Sequence, residues 1–168
     1  MQTMAYRLEA EIPALRRYAF ALVRNDTAAD DLVQDCLERA MSRWYLRRPD
    51  GELRAWLFTI MRNLHISGVR QRRRRGWHDD IDDVEVPGLR AGQEDGLAVR
   101  DILDALDRLP EEQKSLLLLV GIEEMTYDAA AKVLGIPVGT VMSRLSRGRD
   151  RLRAMLDGRA VPGLRRVK

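Results

Sequence analysis

Apolar residues recur at three- and four-residue intervals along most of this chain, the period of an amphipathic α-helix. Leu8, Ile12, Leu15, Ala19 and Leu22 share one face and predict a helix over Leu8–Val23, with Pro13 near its start, where the ring is best tolerated. Asn25, Asp26 and Thr27 then interrupt the pattern and offer capping oxygens, and Thr27 followed by Asp30 resembles a capping box. Ala29, Leu32, Val33, Cys36, Leu37, Ala40, Met41 and Trp44 predict a second helix over Ala28–Trp44. Pro49 and Gly51 make a loop. Leu53, Trp56, Leu57, Ile60, Met61, Leu64 and Val69 then predict a third helix over Glu52–Arg75. On it Trp56 reads as core, and Phe58 and His65 as more exposed than Trp56. Helical periodicity resumes over Ala98–Arg108, Glu111–Glu123, Tyr127–Leu134 and Val138–Leu156.

The stretch between these two sets, residues 77–97, has Pro87, three glycines and too little apolar surface to offset the entropy of ordering. It reads as a linker, and residues 158–168, with Gly158, Pro162 and Gly163, as a flexible basic tail. The expectation is an all-α protein of two small helical domains, residues 1–76 and 98–157. The 5% aromatic content argues in the same direction, against a sandwich or barrel.

Charge sharpens this division. The chain's net +3 hides 15 basic and 9 acidic groups in residues 1–76, 1 basic and 7 acidic in 77–97, and 13 basic and 10 acidic in 98–168. Two basic modules flank an acidic tether, an asymmetry that points towards nucleic acid. The single Cys36 excludes an internal disulfide and fits a reducing compartment. No apolar run approaches the roughly 20 residues of a membrane span, and no secretion signal opens the chain. The expectation is a cytoplasmic protein with no membrane insertion.

Residues 127–145 have the spacing of a helix-turn-helix. Ala131 is small enough for two helices to cross, Gly135 can end the first in the left-handed conformation, Pro137 stops it, and Val141 packs the second back. The second helix presents Gly139, Thr140, Met142, Ser143, Arg144, Arg147, Arg149, Arg151 and Arg153. Its N-terminal part is the portion that enters a major groove in this motif, and arginine there pairs either with guanine or with phosphate.

Three stretches together resemble an extracytoplasmic-function sigma factor of the bacterial sigma-70 family. They are Asp30–Asp35 through Arg39 and Ala40, Leu53–Leu64 running into Arg70 and Arg72–Arg75, and Leu109–Gln113 with Met125–Tyr127 and Gly135–Leu145. The resemblance implies that the first domain docks on core RNA polymerase and opens the −10 promoter element, and that the second reads the −35 element. It places Asp31, Gln34, Asp35 and Glu38 on the polymerase-docking face. It puts Asn63 where the family contacts a flipped base, and Arg62, Arg70, Arg72, Arg73, Arg74 and Arg75 on phosphates. Gly139, Thr140, Ser143, Arg144, Arg147 and Arg149 become the −35 readers. Ser67 departs from the pattern, since many members carry an acidic residue there. An anti-sigma partner is also implied, and with it a role in a stress or signal response.

Other functions fit less well. A stand-alone helix-turn-helix regulator usually needs a dimerisation element or sensor domain, and none is evident. A decoy that only titrates an anti-sigma factor could lose its DNA-facing arginines, which are retained. Cys36, His65 and His78 are too scattered for a metal site, and no Gly-rich phosphate loop is present, so neither catalysis, cofactor, metal nor small-molecule substrate is expected.

Overall fold

The computed structural model describes residues 3–76 and 93–160, and every regular element among them is helical. In chain order these are α1 (Met4–Glu9), α2 (Ile12–Val23), α3 (Asp26–Ser42), α4 (Leu53–Arg74), α5 (Gln93–Asp107), α6 (Glu111–Leu116), α7 (Tyr127–Leu134) and α8 (Val138–Ala160). A 3-10 turn, Trp44–Leu46, follows α3, and a π-helical turn, Leu117–Ile122, extends α6. The chain forms two compact units, Met1–Glu85 with Asp128–Gly135, and Val86–Tyr127 with Ile136–Lys168.

Pro13 decides where the first helix breaks. Its ring would strike the carbonyl of Glu9 in a continuous helix, so α1 stops at Glu9 and α2 starts afresh with the proline in its first turn. The single helix expected over Leu8–Val23 is therefore two. Arg24 adopts a left-handed φ of 53° and ends α2. Asn25, extended at φ −146° and ψ 129°, then caps α3 by accepting from the Ala28 amide at 2.9 Å. The Thr27–Asp30 box does not form, because Asn25 takes the cap position and Thr27 lies inside α3; Asp30 accepts from Arg16 Nε at 3.0 Å and Nη2 at 2.9 Å.

The core of this unit lies among α2, α3 and α4. Leu15, Ala19, Cys36, Ala40, Leu57, Phe58 and Met61 are wholly buried. The Phe58 ring meets Tyr18 at 5.0 Å. This corrects the sequence expectation: Phe58 is core, while Trp56 and His65 are half-buried. α4 packs against both α2 and α3, so its buried face is wider than one stripe and includes Phe58 beside Leu57. Trp56 turns instead towards Trp44, ring centroids 6.2 Å apart and edge-on. The Arg47 guanidinium lies 4.8 Å from the Trp44 ring and donates to the Gly51 carbonyl at 3.0 Å, tying down the loop between α3 and α4.

In the second unit, α6 and its π-helical extension bury Leu116–Leu119, and α8 crosses them at Gly148. A Cβ on Gly148 would stand 3.4 Å from Gln113 Cβ and from Leu117 Cδ1, so the missing side chain sets the crossing distance. α5 begins at Gln93, not Ala98, and α8 runs on to Ala160, not Leu156. One exposed glycine costs a helix about 1 kcal/mol, and Gly158 does not end α8. Of the expected linker, residues 77–92 lie outside the described residues, as do residues 161–168 of the expected tail. Residues 93–97 and 158–160 are helical.

Candidate nucleic-acid interface

The turn before α8 follows from its sequence. Gly135 takes a φ of +65°, the conformation that L side chains resist. The Pro137 carbonyl accepts from Thr140 and Val141 amides at 3.0 and 3.1 Å, starting α8 at once. Val141 and Leu145 face inward, 0% and 1% exposed. Their burial turns Gly139, Ser143, Arg147 and Arg149 outward, with Thr140 half-buried. The Ser143 hydroxyl donates to the Thr140 carbonyl at 3.2 Å.

Arg144 stands apart from the other candidates. Its side chain is 28% exposed, and Nη1 lies 2.7 Å from Glu112 Oε2 on α6, an ion pair without the alignment of a hydrogen bond. Farther along, Arg151 Nη1 donates to Gln113 Oε1 at 3.3 Å. Sequence reasoning did not find Glu112 as a partner, since α6 and α8 are far apart in the chain. It also left Met142 out of the reading set, although this apolar side chain is 54% exposed among the others.

In the first unit, the second half of α4 carries the other basic group. Asn63, Arg70, Arg73, Arg74 and Arg75 are exposed, and Arg62 and Arg72 half-buried. Asn63 opens onto a cavity of about 140 Å³ whose remaining lining is Arg39, Arg43, Ile60, Leu64 and Ser67. The α3 arginines were not among the predicted site residues. Their spacing of four on one helix face is the signal that could have found them. Asp31, Gln34, Asp35 and Glu38 are all exposed on α3, and Gln34 Nε2 donates to Glu38 Oε1 at 3.0 Å.

Cys36 is buried, donates to the Leu57 carbonyl at 3.4 Å, and has its pKa pushed up to about 12 by that burial. No group of three or more metal-ligating side chains occurs among the described residues. No described helix is long and apolar enough to cross a membrane.

Residues 8–62 match the sigma2 domain of PhyR, and residues 100–152 match sigma-70, region 4. The chain is 41% identical to the ECF RNA polymerase sigma factor EcfG of Rhodopseudomonas palustris (strain TIE-1), over 88% of this chain and 81% of that protein. Its fold matches the sigma factor RpoE in complex with the anti-sigma factor NepR from Bartonella quintana, with a TM-score of 0.77 and 35% identity, covering 90% of this chain and 94% of the other. CnrH in complex with the cytosolic domain of CnrY gives a TM-score of 0.70 and 28% identity, covering 90% and 86%. These matches span both units, and by them the chain belongs to the ECF RNA polymerase sigma factors.

Proposed function

We propose that this protein directs core RNA polymerase to specific promoters as an alternative sigma factor, in a stress or signal response and under anti-sigma control. One observation carries the reading: a single chain combines an Asn63-lined cavity, on the helix that ends in Arg70 and Arg72–Arg75, with a separate helix that turns Arg147 and Arg149 outward. The first suits a base taken from the stack and its flanking phosphates. The second suits a major groove.

In this reading residues 1–76 dock on polymerase through Asp31, Gln34, Asp35 and Glu38 and open the −10 element. Asn63 holds the flipped base, and Arg62, Arg70 and Arg72–Arg75 grip phosphates. Residues 98–157 read the −35 element through Gly139, Thr140, Ser143, Arg144, Arg147 and Arg149. The linker within 77–97 joins them. The protein binds and positions, in the cytoplasm where polymerase works, and catalyses nothing. Two relatives were solved with an anti-sigma factor or the cytosolic domain of CnrY, which supports a protein inhibitor for this chain as well.

A second reading is a decoy that only draws an inhibitor away. The exposed Asn63, Arg73–Arg75, Arg147 and Arg149 weigh against it, since a decoy does not need them. Sequencing genomic fragments retained by core polymerase with and without this protein separates the two. A sigma factor enriches a shared two-part motif, whereas a decoy enriches none.

A further inference from the structure

The cavity beside Asn63 has one positive wall, facing the uncharged α4 side formed by Ile60, Asn63, Leu64 and Ser67. Arg39 and Arg43 stand one helical turn apart at the end of α3, and both line the space that Asn63 opens onto. Several arginines elsewhere in the protein meet carboxylates. Arg16 meets Asp30, Arg54 meets Glu11, and Arg144 meets Glu112. Among the described residues neither Arg39 nor Arg43 has a side-chain partner, and no carboxylate lines the cavity. Like charges at this spacing destabilise a helix. A bound electron-rich group would offset that repulsion.

We infer that Arg39 and Arg43 decide which base the cavity accepts, and that they select guanine. The inference rests on the sigma-factor reading and deepens it. A guanidinium presents a rigid fork of donors, and guanine is the base whose O6 and N7 give two adjacent acceptors matched to it. Adenine and cytosine put an amino group on the corresponding edge, which would face donors with a donor. The Asn63 amide oxygen can accept from the N1–H and N2 amino donors that remain on guanine's other edge. Ile60 and Leu64 supply apolar contact for the ring faces, and Ser67 leaves the wall free of the negative charge an acidic residue would bring.

The test uses core polymerase with the full-length protein and a promoter in which each −10 position is varied through all four bases. Opening is followed by 2-aminopurine fluorescence. One position should prefer guanine over adenine by roughly tenfold or more, and 7-deazaguanine there should lose most of that preference. Arg39→Lys and Arg43→Lys keep the charge and lose the fork. They should flatten the base preference at that position while leaving the −35 preference unchanged. Equal use of all four bases by the unmodified protein would overturn the inference alone. So would arginine variants that slow opening by one common factor whatever the base, since that marks a phosphate grip. No opening on any template would remove the sigma-factor reading together with it.

Discussion

Arg144 of α8 reaches back to Glu112 of α6, Nη1 to Oε2 at 2.7 Å, while Arg147 three residues on stands exposed. The two arginines are therefore unequal. Arg147→Ala should weaken −35 binding by about 1–3 kcal/mol if its contact is bidentate to a base. Arg144→Ala should cost less, because part of its guanidinium is already engaged. Glu112→Gln should free that arginine and tighten holoenzyme binding to a −35 duplex at low salt. Its effect on stability should stay below about 1 kcal/mol, because the pair is partly exposed. Fluorescence anisotropy of labelled duplexes ranks the three variants, and Arg144→Ala weaker than Arg147→Ala would show that the ion pair does not restrain the side chain.

Asn63 is exposed at the mouth of its cavity, with no structural task in the core. Asn63→Ala should leave closed-complex formation near normal and slow strand opening. Permanganate footprinting of opening, beside gel-shift measurement of recruitment, separates the steps, and an equal loss in both argues against a base-holding role.

The run Arg72–Arg75 closes α4 with three of its four side chains exposed. Each phosphate contact contributes about 0.7–0.9 to the slope of log affinity against log salt. Replacing all four by glutamine should flatten that slope by about one contact or more. An unchanged slope would mean that the run is only a solvated helix end.

Cys36 tests the packing of the first unit. Burial raises its pKa to about 12 from the usual 9.0, so the thiol stays protonated and shielded at neutral pH. It should resist alkylation in the folded protein and react readily in denaturant. Because the folded-state value is the higher one, this group's contribution to stability is intact below about pH 9 and declines as pH rises towards 12. Fast alkylation at pH 7 under native conditions would place Cys36 outside the core described.

Much of the fold was legible because helical periodicity and turn chemistry are local. The α7 bounds and the left-handed Gly135 follow from a few neighbouring residues. What the sequence concealed depended on three dimensions. The apolar stripe of α4 did not show that two helices pack on it, so Phe58 was misplaced. A proline near a helix start is locally tolerated, but the break at Pro13 depends on its ring opposing the Glu9 carbonyl. Thr27 looked like a cap because the backbone of Asn25, which brings its side chain onto Ala28, is not visible in letters. At the candidate site the basic residues of α4 and α8 stood out, but the Arg39–Arg43 wall arises only when α3 and α4 pack together, and the Glu112 restraint only when α6 meets α8.

A sigma factor turns core polymerase into a promoter-specific enzyme. Run-off transcription with core polymerase, with and without the protein, on templates carrying its enriched two-part motif measures that directly. A defined transcript that appears only when the protein is present, and fades with Asn63→Ala or Arg147→Ala, is the predicted result. No new start site on any such template, despite tight binding of the protein to core enzyme, would contradict it.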